Sequence, residues 1–171
     1  SLFSLKGAFA SIGVAILVKK FADLTLANAQ LQDETIKTAR SIGIEVEALT
    51  ALRYSAELGG ASIESVNTGA KRLSRNMYDA SRGTGEAINA FRDLGIEIND
   101  SEGKMRSIDS VIFDVSDAFA KMEDGALKNA QAQLLFGRSG ADLINTLNQG
   151  SDALRAQRVE AEKLGITFSK D

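Results

Sequence analysis

The stretch LLFGRSGADLINTLNQGSDALRAQRVEAEKLGI at residues 134–166 decides how this chain folds. Gly137 predicts the end of one helix, and Ser139, followed three residues later by an acidic residue, predicts a capping box that begins the next. Ser151 opens a further helix with apolar residues at helical spacing, and Gly165 ends it. Short helices separated by glycine are therefore expected in this part of the chain.

The composition narrows the classes of function. The chain has 171 residues, of which 44% are hydrophobic, and it contains no proline, cysteine, tryptophan or histidine. Without histidine or cysteine, zinc sites, thiol nucleophiles and Ser-His-Asp triads are excluded from this sequence. An acid–base enzyme built only from Asp and Glu is left open, but nothing here resembles one. We therefore expect a protein that is not an enzyme and holds no cofactor or metal.

A heptad pattern runs through the first 42 residues and predicts one long, partly hydrophobic helix over 1–42. Helices with this spacing supercoil around one another, so the pattern predicts an inter-chain seam. A single amphipathic helix packed on its own domain is the alternative, because periods of 3.5 and 3.6 residues differ little over so short a run. The predicted seam residues are Phe3, Gly7, Ala10, Val14, Leu17, Phe21, Leu24, Asn28 and Leu31.

Residues 43–171 predict a compact group of short helices, so the expected fold class is mainly α. The phrase Leu-Gly-Ile, or Ile-Gly-Ile, recurs at helix ends, where glycine adopts a left-handed conformation without a Cβ penalty. The sequence IEINDSEGKMRS at 96–107 predicts one small β-hairpin that turns at 101–103. The predicted structural turns are Gly43, Gly95, Gly137, Gly140 and Gly165.

Charge gives little support to nucleic-acid binding. The net charge of −3 is spread along the chain, whereas duplex binding needs a concentrated positive field. The densest basic cluster is typical of a solvated helix face; it consists of Lys71, Arg72, Arg75 and Arg82. The loop at 137–140 has the G-x-x-G form with which KH domains clamp single strands, but the strands of such a domain are missing. Single-stranded nucleic-acid binding through this loop is therefore kept as the less favoured alternative. The main expectation is that the chain binds no nucleic acid specifically.

The N-terminal region also allows a membrane-active function. Only twelve uncharged residues separate Lys6 from Lys19, fewer than the roughly twenty that a spanning helix needs. The second alternative is therefore a membrane-active or pore-forming helical module in which residues 1–18 insert.

Four phrases in a fixed order resemble the siphophage and prophage tail tape measure proteins. They are EALTALRYSAELGG at 47–60, LGIEIND at 94–100, DVSDAFAKM at 114–122 and the stretch at 134–166. The order and spacing of the phrases, which together cover roughly residues 30–171, carry this resemblance. The sequence begins at Ser1 without an initiator Met, so we expect a fragment of a longer chain.

The resemblance implies a structural protein of the virion. Such a protein occupies the lumen of the tail tube, sets tail length and has a role in DNA ejection, and it is made in the host cytoplasm during assembly. Its implied partners are other copies of itself, about three along a common axis, together with tail tube and tail tip proteins and the host membrane.

Overall fold

A computed structural model of the protein describes residues 15–20 and 29–167. These residues contain eight named α-helices and no strand, which confirms the prediction of a mainly helical fold. The helices are α1 (Ala29–Ile42), α2 (Val46–Leu58), α3 (Ile63–Ser81), α4 (Ala87–Asp93), α5 (Ile108–Lys121), α6 (Ala126–Phe136), α7 (Gly140–Leu147) and α8 (Ser151–Lys163). A single 3₁₀ turn, Gly137–Ser139, joins α6 to α7, and residues 15–20 are also helical.

The helices enclose one main hydrophobic core. The longest, α3, packs against α6 and the 3₁₀ turn, while α2 packs along α8 and α5 lies against α7 and α8. Apolar stripes at helical spacing on α3 and α5 supply much of the core, as the 3.6-residue period requires. Its fully buried members include Leu49, Leu73, Met77, Val111, Val115, Phe119 and Leu135.

Three helices end in the same way, at the repeated phrases that contain Gly43, Gly95 and Gly165. These glycines have φ values of 80°, 70° and 68°. The isoleucine after each glycine donates its N–H to a carbonyl five residues earlier and buries its side chain, which is the pattern of a Schellman cap. The bonds are Ile44 N to Ala39 O at 3.1 Å, Ile96 N to Phe91 O at 2.8 Å and Ile166 N to Ala161 O at 3.1 Å.

The β-hairpin predicted at 96–107 is wrong. In the described part of the chain this segment makes one isolated antiparallel bridge, between Asn99 and Met105, and no strand. The Asp100 side chain is the physical reason: its Oδ1 accepts from Glu102 N and Lys104 N, both at 2.9 Å. A side chain that binds these backbone donors replaces a strand ladder with a compact turn.

The long helix predicted over the N-terminal residues is also not seen. Within 1–42 the structure describes helix only at 15–20 and in α1, and residues 1–14 and 21–28 lie outside the described residues. Both described pieces pack on the domain. Val18 contacts a small cluster around Tyr54, and α1 buries Thr35, Ala39 and Ile42. Burial of these residues against their own chain is the reason that they do not extend away as a free helix.

Candidate functional site

The predicted seam falls mostly outside the described residues. Leu17 and Leu31 are described, and both are half-buried. The others, Phe3, Gly7, Ala10, Val14, Phe21, Leu24 and Asn28, lie outside that part of the chain. Beside Leu17, Ile16 is 63% exposed, whereas Val18 packs on the domain. The helical segment at 15–20 thus presents one apolar side chain to the domain and another to solvent.

The cluster that receives Val18 is small and contains a titratable group. Tyr54 of α2 lies there with Ala161 of α8 and Ile166, and all three are buried. Burial, together with a hydrogen bond and the negative charge of Glu160, raises the pKa of the Tyr54 hydroxyl to about 12. The phenol is therefore neutral wherever the protein is folded at ordinary pH.

A buried arginine joins the first three helices. Arg53 of α2 is only 3% exposed and donates from Nε and Nη2 to Asn67 Oδ1 of α3, at 2.9 and 2.6 Å. Its Nη1 donates to Thr35 Oγ1 of α1 at 2.5 Å. Desolvation lowers the pKa of the guanidinium to about 10, which the charge of Glu34 partly offsets. A buried cation held mainly by neutral oxygens is costly, so its three hydrogen bonds are essential to the junction.

The GRSG sequence at 137–140 is a packing element. Gly137 has φ 69°, and a Cβ there would meet Arg72 Cγ at 3.3 Å. Gly140 has ordinary helical φ and lies so close to α6 that a Cβ would collide with the carbonyl oxygen of Ala132. Ser139 makes no capping bond, and Asp142 Oδ2 instead accepts from Ser65 Oγ at 3.0 Å. Of the four residues, only Arg138 is exposed, so the loop lacks the open backbone of a nucleic-acid clamp.

A second buried cation ties α6 to α7. Lys128 is 2% exposed, and its Nζ donates to Asp124 Oδ1 and to Asn148 Oδ1, both at 2.8 Å. Asn148 Nδ2 donates to the same Asp124 oxygen at 3.0 Å, which closes a three-membered network. Hydrogen bonds from Lys128 and Asn148 lower the pKa of the Asp124 carboxyl. This network fixes the start of α6 against the end of α7.

Two open clefts lie on either side of α4. The first, of about 660 Å³, is polar and mixed in charge; it is lined by residues that include Arg72, Arg75, Asp79 and Glu86. The second, of about 470 Å³, lies between α4, α5 and α6 and is mostly apolar. Its walls are Asp93, Leu94, Ala118, Met122, Leu127 and Gln131. Both clefts are open to solvent rather than enclosed.

Among residues 15–20 and 29–167, no group of three or more Asp or Glu side chains is arranged to hold a metal ion. In the same residues, no helix combines the length and apolar character needed to cross a bilayer.

Comparison with known proteins identifies the family. Residues 15–137 match the family described as phage-related minor tail protein. This match covers most of the chain. The chain belongs to the phage-related minor tail protein family. No curated protein and no solved structure matches the chain.

Family membership gives this minor tail protein a structural role in the phage tail, associated with the virion. The matched residues end at Gly137. Most of the stretch at 134–166, which is the longest phrase that resembles tape measure proteins, therefore lies beyond the match. The phrases at 47–60, 94–100 and 114–122 lie within it.

The buried polar side chains of the domain were not predicted from the sequence. Arg53 follows Leu49 by four residues, so a cation on the apolar face of α2 was the available signal. No comparable signal marks Lys128 or Gln131, because their burial depends on helices distant in sequence.

Proposed function

We propose that this minor tail protein is a segment of a tape measure protein, which occupies the lumen of the tail tube and sets tail length. The observation that carries the proposal is the family match over 15–137, combined with the three phrases inside it that resemble tape measure proteins in the same order.

The proposed mechanism divides the chain into an extended part and a folded part. A helix rises about 1.5 Å per residue, so an extended helical chain converts residue number into length. The domain formed by α1 to α8 is folded on itself and does not serve as such a ruler. In this proposal it docks to a tail end or to other copies, about three of which share the tube axis.

Protection inside particles tests the proposed location. Intact tails are expected to shield the chain from added protease and from antibodies against the domain, and particles triggered to eject DNA are expected to lose that protection. An externally exposed tail protein of the same virion serves as the digestion control. Digestion of this chain at an equal rate in intact and ejected particles would mean that it lies outside the lumen and would contradict the proposal.

The membrane-active alternative makes a different prediction. It expects liposome leakage from the full chain and none from a chain that lacks residues 1–18. Protection in intact tails followed by leakage activity after ejection would link the chain to DNA entry as well as to tail length.

A further inference from the structure

Helix α1 is attached to the domain through a surface that is small and largely polar. Two of its four buried residues, Thr35 and Thr38, carry hydroxyl groups, and only Ala39 and Ile42 are apolar. Ile36 adds a half-buried side chain. By contrast, α5 has the same length of 14 residues and buries five branched or aromatic apolar side chains. The free energy that holds a helix on a core grows with the apolar area that it buries, so α1 is held less firmly than α5.

The guanidinium of Arg53 lies against α1 and opposes its attachment. Its side chain is buried, and no carboxylate lies within ion-pair distance of it in the described part of the chain. Thr35 Oγ1 accepts from its Nη1, so α1 covers that side of the cation. If α1 moves away, water can replace the threonine hydroxyl and hydrate the charge. Part of the desolvation cost of Arg53 is therefore a cost of keeping α1 in place.

Gly43 provides a pivot between α1 and α2. Its φ is 80°, and no atom lies within 4 Å of the position that a Cβ would occupy. A glycine in open space can change its backbone dihedrals without a steric penalty. Ile44 and Val46, which follow it, are buried and stay with the domain.

Few hydrogen bonds oppose rotation at this glycine. Movement of α1 breaks the bond from Arg53 to Thr35 and the bond from Ser74 Oγ to Ile42 O, at 2.7 Å. It also breaks the cap bond from Ile44 N to Ala39 O. All of these groups become accessible to water in the open state, so each finds a new partner there.

We propose that α1 is a detachable strap, which leaves the domain by rotation about Gly43 while α2 to α8 stay folded. Hydration of Arg53 lowers the free energy of this opening, which is smaller than that of global unfolding. The opening itself does not depend on the proposed function. In a step that does rest on that function, release transfers the 14 residues Ala29–Ile42 from the folded to the extended part. As helix, they add about 20 Å to the ruler.

Cysteine labelling of the full chain tests the opening, because the sequence has no cysteine of its own. Ala39→Cys places a thiol on the buried face of α1, and Ala132→Cys, the matched control, places one on the buried face of α6. Both alanines are 0% exposed. With an excess of an aromatic disulfide reagent under native conditions, the thiol at 39 should react at least about tenfold faster, since local opening is enough to expose it. Equal rates overturn the proposal, because α1 would then open only when the whole domain unfolds.

Hydrogen exchange of the natural chain gives an independent measure that needs no substitution. At urea concentrations well below the unfolding midpoint, the amides of residues 39–42 in α1 should exchange at least about tenfold faster than those of residues 73–77 in α3. Exchange of both sets at one common rate would equally contradict a detachable α1.

Arg53→Met tests the part played by the buried charge. Opening then exposes an apolar side chain instead of hydrating a cation, so exchange of α1 relative to α3 should slow by about fivefold or more. Arg40→Met, on the exposed face of α1, is the control and should leave the ratio unchanged. A ratio that Arg53→Met leaves unchanged or raises would show that Arg53 does not favour opening. None of these measurements involves the tail tube, so the strap and the proposed function fail separately.

Discussion

Arg53 on α2 donates two hydrogen bonds to one oxygen of Asn67 on α3, from Nε at 2.9 Å and from Nη2 at 2.6 Å. The third bond of the guanidinium reaches Thr35 on α1. A single buried side chain thus connects the helix nearest the N-terminal segment to the rest of the domain. The position of α1 therefore rests on a polar contact at Thr35 as well as on the burial of Ala39 and Ile42.

Removal of the Asn67 acceptor is expected to destabilise the domain. Asn67→Ala leaves a buried guanidinium without two of its three hydrogen bonds and should lower the free energy of unfolding by about 1.5–3 kcal/mol. Urea unfolding followed by circular dichroism measures the change. Asn129→Ala, on the exposed side of α6, is the control and should change stability by less than about 0.5 kcal/mol. Equal effects of the two variants would mean that Arg53 does not depend on Asn67.

Two glycines are expected to respond differently to alanine. Gly140→Ala places a methyl group against the Ala132 carbonyl and should cost about 3 kcal/mol, because backbone cannot move aside easily. Gly165→Ala meets no atom within 4 Å and should cost only about 1 kcal/mol, from its positive φ. Thermal unfolding of both variants gives the ranking. A larger loss for Gly165→Ala would refute the close packing of the start of α7 on α6.

Tyr54 should make stability depend on alkaline pH. Its pKa is raised from 10.0 to about 12 in the folded state. The contribution of the neutral phenol to the free energy of unfolding is therefore complete below pH 10 and is lost as pH rises from 10 to 12. Between pH 9 and pH 11.5, the free energy of unfolding measured in urea should fall by more in the natural chain than in Tyr54→Phe. The comparison isolates the phenol because Arg53 is present in both chains. Identical pH dependence in the two chains would show that the hydroxyl is not buried against Glu160.

Asp117 caps α8 from a neighbouring helix and should contribute acid sensitivity. Its carboxylate accepts from Ser151 N and Ser151 Oγ, both at 2.8 Å, and these bonds lower its pKa below 3.8. The contribution of the Asp117 carboxylate to the free energy of unfolding is present above pH 3.8 and is lost as pH falls through the lowered pKa. At pH 7, Asp117→Asn keeps one acceptor oxygen and should cost less than about 1 kcal/mol, but it should remove this acid dependence.

The matched control for Asp117 is Asp152→Asn, which changes an exposed carboxylate in the first turn of the same helix. Asp152→Asn should cost no more than about 0.5 kcal/mol and should keep the acid dependence of the natural chain. If both variants lose that dependence equally, helix dipole rather than capping by Asp117 accounts for it.

Local signals in the sequence were sufficient for the short helices after residue 43 and for the helix ends at Gly43, Gly95 and Gly165. At the start of α3, for example, Ser62 is the N-cap residue and its Oγ accepts from Ser65 N at 3.1 Å, as is typical of a serine just before an apolar helical stripe. Contacts between distant residues were not predictable in this way. Ser151 begins α8, as its position predicts, but the acceptor for its N–H comes from Asp117 on α5, which the local sequence does not reveal. The hairpin failed for a related reason, because alternating apolar residues at 96–98 do not show that Asp100 will bind the next backbone donors.

Tail length tests the central proposal most directly. Thirty-five residues of helical heptads would be inserted in the phage gene immediately before Ala29, or, as the control, into the turn between Glu102 and Gly103. If the extended part sets length and the folded domain docks, the first insertion should lengthen tails by about 50 Å in electron micrographs, and the second should leave length unchanged. Normal incorporation of the first variant into tails of unchanged length would contradict the proposal that this minor tail protein belongs to the ruler.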